Sequence, residues 1–430
     1  MNVTTEGTRH GAALRIGGCS AVELAREHGT PLYVYDEDGL RRHCRDYRTA
    51  LAAAWPRTTV AYAVKAFGAA AMLRLAVEEG LDLDVASVGE LATARHARVP
   101  GERITFHGVA KRPEELAAAV RAGVGTVAVD AVDEVADLID ACRSAGARQR
   151  VLLRVNPGTD VATDARYRTS GDETKFGLPI ADGSARAALR AALASPSLIV
   201  EGVHFHLGSQ LMTAGPYVDA MHRVAAFLDR DAQGWRPARI VLGGGMGVRY
   251  GPGAQAPTPA EWAAALVPPF AELLAPRCAD GVSLGIEPGR SVVAAHGWTL
   301  YRVGAVKPRS TPGEATVVVD GGLSDNPRPL MYSATHEVLA AAAPAAAATL
   351  LAHVYGRHCE TDLLFPAVAL PGLRRGDVLA VRATGAYTHS MASNYNRFPR
   401  SAVVFARDGV SRVVVRRETA EDLLRAEVPA

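Results

Sequence analysis

The feature that most constrains the fold is a regular alternation of short apolar runs with alanine-rich, helix-like stretches between residues 59 and 290. Each apolar run has the length of a buried strand, and each intervening stretch has the length of a helix. Alternation of this kind predicts a (β/α)8 barrel, with a doubly wound open sheet as the alternative. The predicted strands are Thr59–Val64, Leu81–Ala86, Arg103–Phe106, Thr126–Val129, Arg150–Val155, Ile199–Phe205, Arg239–Leu242 and Val282–Ile286.

Polar residues or glycines follow nearly every predicted strand. A barrel gathers such groups at the carboxyl ends of its strands, whereas an open sheet concentrates its site at one switch point. The pattern therefore favours the barrel. The residues in question are Lys65, Asp84, His107, Asn156, His206, Gly243 and Glu287.

After Arg290 the helical alternation stops and strand-like runs dominate, beginning with residues 291–306. The strand-like segment at Leu32 is expected to join the same β domain. The predicted division is a barrel of residues 36–290, and a β-sandwich or β-barrel-like domain made of residues 1–35 and 291–430. The fold class is therefore α/β plus β.

Charge and composition argue against several classes of function. The 430 residues carry a formal net charge of +2 without a basic patch, which gives no electrostatic case for nucleic acid or an anionic membrane. No apolar run reaches the roughly 18 residues of a membrane span, and the N-terminus lacks a signal-peptide pattern, which predicts a cytoplasmic protein. Five scattered cysteines without a CxxC pair argue against a disulfide framework or a structural zinc site.

Lysine is scarce in this chain, since only four of the 47 basic residues are lysines. Arginine cannot replace an amine nucleophile, so Lys65, Lys111, Lys175 and Lys307 are the only candidates for one. Lys65 directly follows the first predicted barrel strand. The alternative is that the four lysines are ordinary surface residues.

Two further strand ends carry groups that complement such an amine. Residues 243–247 form a glycine-rich loop whose backbone amides can cradle a phosphate, although a tight turn explains the glycines equally well. Glu287 follows the last strand, where a carboxylate can keep a pyridine nitrogen protonated. A lysine, a phosphate cradle and a carboxylate are together what pyridoxal phosphate requires.

His204 and His206 alternate along one predicted strand and therefore share a face. Such a pair can bind a metal, as in metal-dependent barrel hydrolases, or one histidine can simply be packed in the core. No cluster of acidic residues accompanies the pair, so no metal site is predicted.

Eight ordered motifs, spread from about Leu32 to Val415, resemble those of the pyridoxal-phosphate-dependent decarboxylases of the alanine-racemase fold type. The resemblance implies a barrel with a β domain, pyridoxal 5'-phosphate as cofactor and a homodimer with shared active sites. It also implies decarboxylation of meso-2,6-diaminopimelate to L-lysine. The motifs are AYAVKAF, DLDVASVGEL, HFHLGSQ, GGGMG, EPGRS, SDNPRPLMY, HCET and GAYTHSMASNYNRFPR.

The resemblance implies a role for each matching residue. It makes Lys65 the Schiff-base lysine, places His206 against the face of the cofactor ring, and makes Cys359 a catalytic residue that reaches in from the second chain. The residues that it assigns to the cofactor, together with the strand-end carboxylate Asp84, are Lys65, His206, Ser209, Gly244, Gly245, Glu287 and Tyr387. The residues that it assigns to the substrate are Arg290, Arg328, Tyr332, Glu360 and Tyr387.

The sequence departs from the family pattern at three places. Phe67 stands where asparagine is usual, and Val109 and Ala110 replace an Asn-Asn pair. The family's CESGD is shortened by one residue to CETD at residues 359–362, which is expected to change the direction in which the Glu360 side chain points. A related decarboxylase for another or carrier-bound amino acid is therefore a second hypothesis. A metal-dependent barrel hydrolase and a cofactor-binding protein without catalysis are weaker ones.

Overall fold

The computed structural model describes residues 13–159, 169–171, 174–232, 234–251 and 255–428. These residues form two compact units. The barrel unit comprises the described residues of Arg41–Val248 and Ala256–Val292. The β unit comprises the described residues of Met1–Leu40, Arg249–Gln255 and Val293–Ala430.

The strands of the described residues are numbered in chain order. They are β1 (Arg15–Ile16), β2 (Cys19–Ser20), β3 (Leu32–Asp36), β4 (Thr58–Ala63), β5 (Asp82–Val85), β6 (Ile104–Phe106), β7 (Thr126–Val129), β8 (Gln149–Asn156), β9 (Leu178–Pro179), β10 (Leu198–His204), β11 (Arg239–Val241), β12 (Ser283–Ile286), β13 (Gly297–Pro308), β14 (Glu314–Val319), β15 (Val338–Ala340), β16 (Leu350–Tyr355), β17 (Leu363–Leu370), β18 (Val378–Arg382), β19 (Ala402–Arg407) and β20 (Val410–Val415).

The helices are numbered in the same way, and none within the described residues has the length and apolar composition needed to cross a membrane. They are α1 (Ala21–His28), α2 (Glu37–Ala54), α3 (Ala70–Glu78), α4 (Val88–His96), α5 (Pro113–Arg121), α6 (Asp133–Ala145), α7 (Ser184–Leu193), α8 (Gly215–Asp231), α9 (Pro259–Leu273), α10 (Arg290–Val293), α11 (Arg328–Tyr332) and α12 (Ala420–Leu424).

The barrel unit contains a closed ring of eight parallel strands. Neighbours pair in the order β4-β5-β6-β7-β8-β10-β11-β12, and β12 pairs with β4 to close the ring. The predicted barrel is confirmed, and each of the eight strands lies within one residue of its predicted bounds. Most residues of these strands are buried, because both faces of a parallel sheet are covered. The carboxyl ends of the strands are called the barrel mouth below.

Local signals start and stop the helices of the barrel unit. Helices α5 and α9 begin with Pro113 and Pro259, at a position where proline loses no helical hydrogen bond. Thr258 and Glu261 form a capping box at α9, in which each side chain accepts a hydrogen bond from the other residue's amide. Helix α6 ends at Gly146, whose left-handed φ of 60° suits glycine.

The β unit is built on a sheet in which β17-β16-β14-β13-β3-β19-β20 are successive neighbours. Strand β18 pairs with β13 and β15. Strand β3 pairs antiparallel with β13 and parallel with β19, which confirms the predicted recruitment of the N-terminal strand. The strands form two hydrophobic clusters, one that includes Val34 and Leu300 and another that includes Val317 and Val354.

The strand predicted over residues 291–306 was wrong at its start, since the strand begins at Gly297. Residues 290–296 form two consecutive helical turns instead. The β-branched residues there favour a strand in isolation. In the folded chain the amide of Val292 donates to the carbonyl oxygen of Gly289 at 3.0 Å, which turns the backbone.

Two histidines of the β unit, the buried His336 and the half-buried His389, should make stability fall in mild acid. Burial lowers the pKa of His336 and of His389 to about 4, from an ordinary value of 6.5. In the unfolded chain both residues take up a proton below about pH 6.5, whereas in the folded chain they do so only near pH 4. Their contribution to stability is therefore complete at neutral pH and is lost as the pH falls through this window.

Replacing His336 by glutamine should flatten this dependence, because it removes one titrating group. We expect the slope of the unfolding free energy against pH to fall by up to about 1.4 kcal/mol per pH unit within the window, measured by urea unfolding at a series of pH values. His96→Gln, at an exposed histidine of α4, is the matched control and should leave the slope unchanged. An unaltered slope in His336→Gln would show that this residue does not titrate differently on folding.

Candidate active site

Lys65 lies at the barrel mouth, in the 3-10 turn Val64–Ala66 that directly follows β4. Its amine donates a hydrogen bond to Oδ2 of Asp84 at 3.2 Å. The Asp84 side chain, on β5, is 3% exposed, whereas the Lys65 side chain is 45% exposed. A buried carboxylate therefore anchors an amine that remains accessible.

Glu287 directly follows β12 and accepts hydrogen bonds from two histidines. Nε2 of His107 lies 3.0 Å from its Oε1, and Nε2 of His204 lies 2.9 Å from its Oε2. All three residues are buried. Burial favours the protonated acid, but the two imidazoles outweigh it and hold the pKa of Glu287 well below its ordinary value of 4.5. Glu287 is therefore an ionised carboxylate at neutral pH.

His206 contacts the glycine-rich loop that follows β11. Its Nδ1 accepts a hydrogen bond from the amide of Gly244 at 3.2 Å, so this nitrogen carries a lone pair. Burial and the positive charge of Lys65 lower the pKa of His206 well below 6.5. A Cβ on Gly243 would lie 2.6 Å from that nitrogen, so only glycine lets the loop approach the imidazole this closely. His206 is therefore neutral and held in place.

The loops after β10 and β11 are tied to each other. The amide of Leu211 donates to the carbonyl oxygen of Gly245 at 2.9 Å, and the amide of Gly247 donates to that of Leu211 at 2.8 Å. Gly245 has a φ of +124°, and a Cβ there would lie 2.8 Å from the carbonyl oxygen of Gly208. The glycines thus permit a close backbone approach that a larger residue would prevent.

Ser209 and Arg290 are in direct contact in the barrel unit. Nε of Arg290 donates to Oγ of Ser209 at 3.0 Å, and Arg290 is buried. The sequence interpretation assigned Ser209 to the cofactor phosphate and Arg290 to the substrate. The residue assigned to the phosphate and the residue assigned to the substrate are therefore direct neighbours.

The groups of the barrel unit fit pyridoxal phosphate. Lys65 offers an accessible amine for a Schiff base, the glycine-rich loop offers close backbone for a phosphate, and Glu287 offers an anion for the ring nitrogen. Oδ1 of Asp84 is buried and has no hydrogen-bond partner among the described residues, as in a site that a ligand completes.

In the β unit, Arg328 begins helix α11 and is only 2% exposed. Its guanidinium carbon lies 5.1 Å from the centre of the Tyr250 ring and 5.5 Å from that of the Tyr332 ring. Arg328 and Tyr332, both predicted to bind substrate, are thus brought together. Contact with two aromatic rings fixes the orientation of the planar guanidinium.

Cys359 and Glu360 lie in an exposed loop that is fixed by buried neighbours. Oδ2 of Asp362 lies 2.6 Å from Nδ1 of His358, and Nε2 of the same ring lies 2.8 Å from Oγ of Ser324. Buried hydrogen bonds on its inner side therefore anchor the shortened loop. It presents a thiol and a carboxylate on its outer side.

Tyr395 holds the carboxylate of Glu360, a contact that the sequence interpretation missed. Its hydroxyl donates to Oε1 of Glu360 at 2.7 Å, and its ring stacks on His358 with 5.8 Å between ring centres. The amide of Cys359 donates to Oδ1 of the adjacent Asn396 at 2.9 Å. Tyr387, the remaining predicted residue, is half-buried in the loop after β18.

The structure gives His107 and His204 a role that the sequence interpretation did not assign. His107 was noted only as a strand-end residue, and His204 was considered as a metal ligand beside His206 or as a packed histidine. Within the described residues, a group able to hold a metal consists of His107, His204 and Glu287, with ligand atoms within 4.8 Å of one another, and His206 is not part of it. Knowing which strand ends meet across the barrel would have revealed the cluster.

Comparison with known proteins places the chain in a family. Residues 37–294 match the family model described as "Pyridoxal-dependent decarboxylase, pyridoxal binding domain". The chain is 40% identical to a diaminopimelate decarboxylase of Bacillus subtilis (strain 168), with 100% of this chain and 98% of the relative covered. It is 43% identical to one of Actinosynnema pretiosum subsp. auranticum, with 96% and 92% covered.

Among solved structures, the crystal structure of a diaminopimelate decarboxylase from M. jannaschii in complex with L-lysine is similar, with a TM-score of 0.87 at 31% identity. The alignment covers 95% of this chain and 94% of that one. The family model, the full-length relatives and the structural neighbour point to one family. The chain belongs to the family of pyridoxal-dependent decarboxylases.

Proposed function

We propose that this chain is a carbon–carbon lyase that uses pyridoxal 5'-phosphate to convert meso-2,6-diaminopimelate into L-lysine and carbon dioxide, a step of lysine biosynthesis. The observation that carries the proposal is that an accessible amine, Lys65, and an ionised buried carboxylate, Glu287, both follow strands at the same barrel mouth. Relatives at 40% and 43% identity over nearly the whole chain bear the name of this activity.

The barrel unit would hold the cofactor through four groups. Lys65 would attach it covalently, and the glycine-rich loop with Ser209 would bind its phosphate. Glu287 would keep a proton on the ring nitrogen, because a neighbouring anion favours the charged form. His206, being neutral, would cover a ring face without adding a competing charge. When bound, pyridoxal phosphate accepts the electron pair that departing carbon dioxide leaves on the α-carbon.

The β unit supplies groups that suit the distal end of the substrate. Meso-diaminopimelate carries a carboxylate and an ammonium on the same distal carbon, so it needs a basic and an acidic partner together. Arg328 would take the carboxylate with help from Tyr332, and Glu360 would take the ammonium. The thiol of Cys359 would return a proton to the α-carbon after carbon dioxide has left.

We further propose that the active form is a homodimer whose sites are shared. Cys359 and Glu360 are exposed in the single chain. Leu330 and Met331, on the same short helix as Arg328, are 43% and 49% exposed. Large apolar side chains on a helix that carries a proposed substrate residue suit burial by a second copy.

Mixing two inactive variants should restore activity if the sites are shared. Lys65→Ala and Cys359→Ala each remove one essential group, and a heterodimer of the two contains one intact site. Random exchange should therefore recover about a quarter of wild-type activity, measured as carbon dioxide release after the chains are mixed. Absence of recovery, with subunit exchange proven by mass spectrometry, would place each site within one chain.

The reaction itself is tested by product analysis. Purified protein supplied with pyridoxal phosphate and meso-diaminopimelate should form L-lysine, identified by chiral chromatography, and should form none without the cofactor. An amine product from a different amino acid, with no lysine from meso-diaminopimelate, would favour the second hypothesis of another or carrier-bound substrate.

A further inference from the structure

The buried cluster of His107, His204 and Glu287 sits where the proposed function needs a single negative charge. We propose that His107 and His204 are positioning residues that keep Glu287 an ionised acceptor and so set the protonation state of the cofactor's ring nitrogen. This inference rests on the proposed function, because it assumes that pyridoxal phosphate binds at the barrel mouth.

Glu287 needs partners to act as an anion in this position. A carboxyl group buried on its own takes up a proton, and a protonated acid would donate to a pyridine nitrogen rather than accept from it. The two imidazole nitrogens lie 3.0 and 2.9 Å from different oxygens of Glu287. Each carboxylate oxygen can accept a second hydrogen bond, so a third donor can still be bound.

The histidines leave the charge of Glu287 uncompensated, as a protonated ring nitrogen requires, only if they are neutral. Burial lowers the pKa of His204, against the opposing effect of Glu287. The ring centres of His107 and His204 are 4.8 Å apart, so two positive charges would repel each other. Nδ1 of His204 is buried without a hydrogen-bond partner among the described residues, which fits a bare lone pair there and a proton on Nε2.

Neutral histidines leave the cluster with a net charge of minus one, which complements one protonated pyridine nitrogen. A positive charge on either ring would cancel that charge. Other charged groups lie nearby, since Asp84 Oδ1 is 3.8 Å from Nε2 of His107, and its Oδ2 is 3.2 Å from the amine of Lys65. Among the described residues, His107 thus lies near two carboxylates, whereas His204 pairs with the carboxylate of Glu287 only, which makes His204 the cleaner position to test.

The test compares two ligands on the full-length chain freed of cofactor. One ligand is pyridoxal phosphate, and the other is its 1-deaza analogue, in which a C–H group replaces the ring nitrogen. His204→Leu removes the hydrogen-bond donor and keeps a side chain of similar volume. This variant should bind pyridoxal phosphate about tenfold or more weakly than the wild-type chain does. It should bind the 1-deaza analogue as tightly as the wild-type chain, or more tightly. His204→Gln keeps an N–H donor and should lie closer to wild type.

Each outcome decides a different question. Equal losses for both ligands, or no loss for either, would overturn the proposed role of His204. Failure of the wild-type chain to bind pyridoxal phosphate at all would instead overturn the proposed function.

A measurement on the wild-type chain keeps the inference testable if the leucine variant does not fold. Nitrogen-15 NMR of the histidine rings in the cofactor-loaded protein should show both His107 and His204 neutral, with the proton on Nε2. In the same complex, nitrogen-15 in the pyridine ring should appear protonated. An imidazolium at either position, or an unprotonated pyridine beside an intact cluster, would contradict the inference.

Discussion

Lys65→Ala should abolish decarboxylation and the yellow colour of the cofactor-loaded protein. Lys65 stands at the end of the first barrel strand, with its amine accessible and held by Asp84. Lys111 cannot substitute, because its amine is buried against Glu134 at 2.8 Å. Covalent attachment at a lysine is the step on which the remaining chemistry depends, so the loss should amount to several orders of magnitude in kcat.

The attachment site can be read directly in the wild-type protein. Reduction with borohydride should fix the cofactor on the peptide that contains Lys65, as identified by mass spectrometry. Lys307→Ala, at an exposed lysine of β13, is the control and should keep both colour and activity. Fixation at Lys111 or Lys175 would refute the assignment.

Arg328→Lys should lose most of kcat/KM for meso-diaminopimelate while the cofactor absorbance stays intact. Arg328 is 2% exposed and its guanidinium is oriented by the rings of Tyr250 and Tyr332. A lysine ammonium is a point charge and cannot reproduce the two parallel hydrogen bonds of a guanidinium to a carboxylate. Loss of such a charge-assisted pair corresponds to a factor of about 10 to 100.

The same arrangement predicts substrate discrimination. Lysine and ornithine lack the distal carboxylate and cannot form this charge-assisted pair with Arg328, so they should be poorer substrates by several orders of magnitude. Arg375→Lys, at an exposed arginine of the β unit, is the matched control and should match wild type. If Arg328→Lys had unchanged kinetics, or if ornithine were decarboxylated efficiently, the proposed specificity would be wrong.

The barrel could be predicted because each of its strands has a signal in the local sequence. A parallel strand buried on both faces must be a continuous apolar run, and the polar group that ends it marks the mouth. The strand-end positions of Lys65 and Glu287 could therefore be predicted from the sequence alone, whereas their roles stay predictions. The start of the strand after Arg290 was mispredicted because the hydrogen bond from Val292 to Gly289 overrides the β propensity of the segment.

Other parts of the proposed site depend on contacts between distant residues. The pairing of Glu287 with His107 and His204 joins the ends of three barrel strands, which only the closed ring brings together. The contact between Tyr395 and Glu360 links two loops of the β unit across 35 residues of chain, and no periodicity encodes it. The assignments of such loop residues came from the family resemblance, and they remain predictions.

The most direct test of the central claim is a comparison of carbon dioxide release from a panel of amino acids by the cofactor-loaded protein. The panel comprises meso-diaminopimelate, ornithine, lysine and arginine, each assayed at a series of concentrations to give kcat/KM. We expect meso-diaminopimelate to be decarboxylated with stoichiometric formation of L-lysine, and the other three to be poorer by several orders of magnitude. Release of carbon dioxide from another member of the panel at an equal or greater kcat/KM, or from none of them, would contradict the account.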